Sequence, residues 1–87
     1  MINKTISDYM NMKTERGTFV PVGSPLRDKP FSVLDKYGLK IQSYYIHGEV
    51  DNPREPNPNI EFQTGMHFQI NGRRKDIKSF CEDYSVP

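Results

Sequence analysis

The sequence predicts a small α+β protein in which residues 1–87 form a single domain. Two segments alternate apolar and polar residues as half-buried strands do, and a third repeats apolar residues at helical spacing. A chain of 87 residues has room for one core. We therefore expect an antiparallel β-hairpin-based sheet, with strands at about 39–47 and 60–71, covered on one face by a C-terminal helix at about 73–84 and by short N-terminal helices.

The segment 60–71 has the clearest strand pattern in the chain. Its even positions run Ile, Phe, Thr, Met, Phe, Ile, while its odd positions are polar residues or glycine. Successive side chains of a strand leave opposite faces, so one face should be apolar and the other polar. Phe62 and Phe68 belong to the apolar set, and we expect both rings in the core.

The other predicted strand changes phase along its length. Its apolar residues are odd at Leu39 and Ile41 but even at Tyr44 and Ile46. A β-bulge near Gln42 and the serine after it would bring all four to one face, because a bulge inserts one extra residue. The polar face of the hairpin would then carry Lys40, Tyr45, His47, Gln63, His67 and Gln69.

The start of the chain predicts a helix followed by extended backbone. Apolar residues recur at near-helical spacing from Ile2 to Met12, and Gly17 is a suitable end for that helix. Residues 18–22 have strand-like composition, but Pro21 lacks a backbone donor. We expect this segment to be an edge strand or an extended loop.

Two further helices are predicted. Asp28 can cap a helix, Pro30 fits a first turn, and Gly38 suits a C-terminal end, so a helix of about two turns should lie between them. The clearest helical stripe lies near the C-terminus and consists of Ile77, Phe80, Cys81 and Tyr84. This stripe predicts the helix that lies across the apolar face of the sheet.

Residues 48–59 should form a long proline-rich hairpin loop. Three prolines in this stretch favour extended backbone and disfavour a tight turn. Long connections are often functional or mobile. We expect Asp51, Arg54 and Glu55 to contact a partner, and a merely solvated loop is the alternative.

Composition excludes several classes of protein. The formal net charge of +1 gives no global argument for a nucleic-acid or acidic partner. Cys81 stands alone, so an intramolecular disulfide is impossible and a reducing compartment is the simplest interpretation. The sequence contains no secretory leader pattern and no long apolar run, which predicts a cytoplasmic protein without a membrane contact.

Arg73, Arg74 and Lys75 form the most suggestive polar cluster. They fall at the predicted start of the C-terminal helix, where the helix dipole disfavours positive charge. A bound anion would relieve this conflict, and phosphate, a nucleic-acid backbone or a carboxylate cluster would each serve. The alternative is that the three side chains are solvated.

Histidine and cysteine give weaker signals. His47 and His67 should face the same side of adjacent strands, where they could bind a metal or respond to pH. Two ligands are too few for a closed zinc site, and Cys81 should be buried under the helix as a small hydrophobe. We therefore expect no metal and no cofactor.

The sequence also bears on catalysis and on base stacking. No catalytic dyad or cofactor fingerprint is present, so we expect no enzyme; His47, His67 and Glu61 as acid and base are the alternative. A stacking platform needs aromatic side chains on the exposed face. With the phenylalanines of the long strand assigned to the core, Tyr45 alone remains.

The leading hypothesis is a small non-enzymatic protein-binding module that regulates or inhibits a larger cytosolic assembly. By analogy only, accessory proteins of phages and mobile elements have this general character. An unpaired sheet edge would also favour a homodimer or a protein partner through strand addition. The alternative hypothesis is binding of a nucleic-acid backbone or a nucleotide phosphate by Arg73, Arg74 and Lys75.

Overall fold

The computed structural model describes residues 8–49 and 51–87. Its elements in chain order are strand β1 (Lys13–Phe19), a 3-10 helix (Phe31–Tyr37), strands β2 (Lys40–Tyr45) and β3 (His67–Arg73), and the C-terminal helix (Arg74–Asp83). The three strands form one antiparallel sheet in the order β1-β3-β2. The predicted α+β class and the antiparallel pairing of the two predicted strands are confirmed.

The bulge in β2 is also confirmed. Ile41 lies opposite Ile70 and Tyr44 lies opposite Phe68, although the two β2 residues have different parity. The register shifts between Ile41 and Ser43, which inserts one unpaired residue. Both apolar pairs can therefore face the same core.

The prediction that β3 begins at residue 60 is wrong. A turn at residues 64–65 precedes the strand, and Gly65 has a φ of 86°, in the left-handed region that glycine favours. Phe62 pairs instead with residues before the 3-10 helix: its N–H donates to Lys29 O at 2.9 Å, and its carbonyl accepts from Asp28 N at 2.8 Å. The ring of Phe62 is nevertheless fully buried, as its place in the alternation predicted.

The N-terminal prediction is wrong over residues 13–17, which form most of β1 and not the end of a helix. Residues 8–11 are helical, and the earlier part of the predicted helix lies outside the described residues. The edge strand predicted at 18–22 therefore begins earlier and ends at Phe19. Only Thr18 of β1 is buried, so this strand lacks the periodic apolar residues that strand prediction depends on.

The second predicted helix is present as the 3-10 helix. Gly38 ends it with a φ of 69°, as predicted, but Pro30 and not Asp28 occupies the N-cap position. Asp28 has a positive φ of 68° and caps nothing in the helix. The Asp28 N–H donates to the carbonyl oxygen of Phe62.

The core lies between one face of the sheet and the C-terminal helix. This helix spans nearly the predicted range and buries Ile77, Phe80 and Cys81 against the sheet. Phe68 of β3 contacts Phe80 edge to face, with ring centroids 6.5 Å apart. Since the helix packs on one face only, the opposite face of the sheet is left for other contacts.

Candidate functional site

The sheet face opposite the C-terminal helix is the candidate site, and we call it the open face. Directly paired residues of antiparallel strands share a face, and the register assigns the members to this one. Each of its side chains is exposed or half-buried. The members are Lys13, Glu15, Gly17, Phe19, Lys40, Ser43, Tyr45, His67, Gln69, Asn71 and Arg73.

Aromatic rings cluster at one end of the open face. The rings of Tyr45 and His67 are stacked, with centroids 4.9 Å apart and an interplanar angle of 2°. Phe19 lies 5.6 Å from His67 on the other side, and the His47 ring lies 6.0 Å from it. The sequence prediction that His47 and His67 lie close together thus agrees with the geometry.

The rings of Tyr45, His67 and Phe19 border a shallow depression that we call the aromatic groove. It has a volume of about 420 Å³. Gly17 and Gln69 lie along it, and Pro53 of the long connection contributes to its wall. Apart from Gly17 and its two chain neighbours, no described residue has an atom within 4 Å of the position that a Gly17 Cβ would occupy. The groove therefore has room for a flat or extended group above the sheet.

The other end of the open face is polar and partly basic. A second depression of about 410 Å³ lies there, lined among others by Lys13, Lys40 and Asn71. Between the two depressions, Gln69 Nε2 donates to Glu15 Oε2 at 3.0 Å. The side chains of Glu15, Lys13 and Lys40 together give this depression a small net positive charge.

The basic start of the C-terminal helix does not form one converging site. Arg73 Nε donates to Asp76 Oδ2 at 2.9 Å. Asp76 lies in the first turn of the helix, where the helix dipole favours an acidic side chain. The Arg74 guanidinium lies 4.4 Å from the centre of the Tyr9 ring. Lys75 is exposed. Two of the three cations are thus engaged within the chain.

The long connection is fastened to the sheet by Arg54. Arg54 N donates to Tyr44 O at 2.7 Å, and Tyr44 N donates to Arg54 O at 3.3 Å. The Arg54 side chain also pairs with Glu49 at 2.9 Å. Asp51 and Glu55 remain exposed. The predicted contact residues of the loop are therefore divided between attachment and solvent.

The geometry offers little for metal or thiol chemistry. No group of three or more potential metal ligands occurs among residues 8–49 and 51–87. Cys81 is buried, as predicted, and burial raises the pKa of its thiol despite the nearby charge of Arg16. Glu61 lies at a bridge to Pro30, outside the three strands.

Phe19 is the aromatic residue of the open face that the sequence prediction missed. The sequence places it in an extended segment without indicating a partner strand, so its face is undefined at that level. In the sheet it pairs with His67. The segment that ends at Phe19 contains two threonines, and this composition favours a strand. The face on which Phe19 lies, however, follows only from the pairing of this segment with β3.

The sequence matches no protein-family model, and no curated protein is significantly similar to it. Within the described part of the chain, no helix combines the length and apolar character that crossing a membrane requires.

Proposed function

We propose that this chain is a small non-enzymatic module that binds another protein through its open face, and that it thereby regulates or inhibits a larger assembly. The observation that carries the proposal is the aromatic groove on the sheet face opposite the C-terminal helix. Aromatic side chains supply much of the binding energy at protein interfaces because they bury large areas at little conformational cost. Tyr45, His67 and Phe19 provide such a cluster.

The distribution of exposed apolar side chains supports the same proposal. Among the described residues, the exposed large hydrophobic side chains are Tyr9, Met12, Phe19 and Val22. All four lie in β1 or close to its ends in the sequence. Of these four, Phe19 lines the aromatic groove and adds an exposed apolar ring to it, whereas isolated exposed side chains such as Val22 need no explanation.

The test is affinity capture with the whole chain as bait, followed by titration of the captured protein against purified variants. Tyr45→Ala removes one ring of the groove, and Val22→Ser serves as the control because Val22 is 90% exposed and lies outside the groove. We expect Tyr45→Ala to weaken binding by about tenfold or more, as for an interface anchor, and Val22→Ser to change it little.

A partner retained equally by both variants would refute the role of the open face. Capture of no protein at either low or high salt would refute the proposed function itself. Thermal unfolding of both variants should show that each is folded, since Tyr45 is only half-buried.

A second candidate function is binding of single-stranded nucleic acid on the same face. The specific observation is that the stacked rings of Tyr45 and His67 share a face with Lys13 and Lys40. Bases stack on exposed rings, and cations hold the backbone. Nucleic acid retained at low salt and released at high salt would favour this function, because phosphate contacts depend steeply on salt.

A further inference from the structure

We propose that the partner docks as an added antiparallel strand along the outer edge of β1, and that this strand is extended, carries an acidic residue opposite Arg16, and presents a large side chain over Gly17. This inference rests on the proposed function, because it names how a protein would reach the open face. Strand addition supplies affinity through main-chain hydrogen bonds and specificity through alternate side chains.

The hydrogen bonds show which groups of β1 face outward. Val20 N donates to Met66 O at 2.9 Å, and Val20 O accepts from Gly65 N at 2.8 Å, so both groups of Val20 point toward β3. In an antiparallel strand this direction alternates. Thr14, Arg16 and Thr18 therefore also point inward. The outward residues are Lys13, Glu15, Gly17 and Phe19, and none of them is proline.

Among the described residues, the outer edge of β1 is unpaired, whereas part of the opposite sheet edge, at β2, is already paired. Tyr44, which faces away from β3, already exchanges both of its backbone hydrogen bonds with Arg54 of the long connection. The described residues provide β1 with a partner on its β3 side alone. Unpaired N–H and C=O groups in alternation form a template that another extended backbone matches.

The charge near Arg16 indicates the chemistry of the added strand. Arg16 projects to the helix side of the sheet, where it lines a cavity of about 340 Å³ with Lys78 and Glu82. It forms no ion pair with any described residue. A carboxylate directly opposite Arg16 would balance the excess positive charge, as opposite charges do across neighbouring strands.

Gly17 determines what fits on the open-face side. An added strand lies about 4.8 Å from β1. Because the described residues, apart from the chain neighbours of Gly17, leave the space within 4 Å of its Cβ position open, a large side chain opposite Gly17 can lie across this residue toward the aromatic groove. An aromatic side chain suits this place, since it would cover the bare glycine and meet Phe19.

A second copy of the chain fits the edge less well. Pairing all seven residues of β1 with the same strand of another copy places the two Arg16 side chains directly opposite each other. Like charges at directly opposed positions destabilise a sheet. A partner with an acidic residue there replaces this repulsion with attraction, which is why we assign the edge to a different protein.

The probe is the synthetic peptide acetyl-Val-Thr-Tyr-Glu-Lys-Thr-Glu-amide, whose tyrosine and first glutamate would lie opposite Gly17 and Arg16. Amide hydrogen exchange of the whole protein is measured by NMR with millimolar peptide. We expect exchange at Lys13, Glu15, Gly17 and Phe19 to slow by about tenfold or more. Exchange at inward amides should already be slow without peptide.

Two N-methylated peptides make the test specific. Methylation of the tyrosine nitrogen, which would point toward β1, should abolish the protection. Methylation of the first glutamate nitrogen, which would point away, should preserve it. Gly17→Pro should likewise remove peptide binding, because it deletes an outward N–H.

Absence of protection, or equal binding of the two methylated peptides, would overturn strand addition. Protection that appears without peptide and rises with protein concentration would assign the edge to a second copy and overturn the inference. If the peptide fails while Tyr45→Ala still weakens a captured partner, the proposed function stands and strand addition falls. If no protein is captured, the proposed function falls whatever the peptide does.

Discussion

Replacement of Gly72 by alanine tests how tightly β3 approaches the residue before β2. A Cβ built on Gly72 would lie 2.3 Å from Leu39 Cδ2, while ordinary contacts begin at 3.4 Å. The Leu39 side chain, which is 1% exposed, would have to move by about 1 Å within the core. Overpacking of this kind costs about 1–3 kcal/mol, against which a lost glycine regains about 0.4–1 kcal/mol through the unfolded state.

We therefore expect Gly72→Ala to lower the free energy of unfolding by about 1–2 kcal/mol, which corresponds to a fall in Tm of roughly 5–15 °C for a domain of this size. Thermal and urea unfolding would measure it. Gly17→Ala is the matched control, since its new methyl group meets no atom within 4 Å. Equal stability of the two variants would refute the reasoning.

A double-mutant cycle tests whether the loss of stability in Gly72→Ala comes from contact with Leu39. Leu39→Ala alone should cost about 2–5 kcal/mol, as other buried leucine truncations do. In that background the Cβ of the residue replacing Gly72 has space, so Gly72→Ala should cost about 1 kcal/mol less than it does in the native chain. Additive effects would show that the loss comes from another source than contact with Leu39.

Single contacts give three further predictions. The Asp83 carboxylate accepts a hydrogen bond from Tyr37 at 2.6 Å and raises the pKa of Tyr37, so stability present below about pH 10 should be lost as pH rises through the raised value. Tyr37→Phe should therefore show a shallower fall in Tm as the pH rises above about 10. Cys81, whose thiol pKa burial raises, should react with iodoacetamide much more slowly in the native protein than in denaturant; equal rates would contradict its burial. Arg54→Pro deletes the N–H that donates to Tyr44 O and so weakens the paired contact in which Tyr44 N donates to Arg54 O; exchange of the Tyr44 amide should speed up, whereas Arg54→Ala keeps both backbone groups and should leave it unchanged.

Sequence reasoning succeeded where burial on one face was strong. The alternation around Phe68 predicted a half-buried strand, and the phase change in β2 predicted its bulge. It failed at the start of β3, where the same alternation continued through Gly65 although the backbone turns there. Apolar periodicity reports which side chains are buried, but it does not report where a strand stops pairing.

The candidate site was harder to predict for a related reason. The proximity of His47 and His67 follows from a recognisable hairpin, but Phe19 and Gly17 lie in β1, whose sequence has almost no buried residues. A strand at the edge of a sheet is paired along one side and is often solvated on both faces. Its position is determined by the strand that pairs with it, and that information is not local to its own sequence.

The charges of β1 can explain why a free edge is tolerated. Charged side chains on an edge strand oppose unwanted pairing between copies. In β1, full self-pairing would bring two Arg16 side chains together, yet the same side chain would attract a carboxylate on the proposed partner strand. An Arg16→Glu variant should therefore prefer a partner strand with a basic residue at that position, while two copies of the variant would still repel each other there. Arg16 would thereby favour binding of a different protein over self-association. In the full self-pairing it lies opposite the same charge, whereas a different strand can place the opposite charge there.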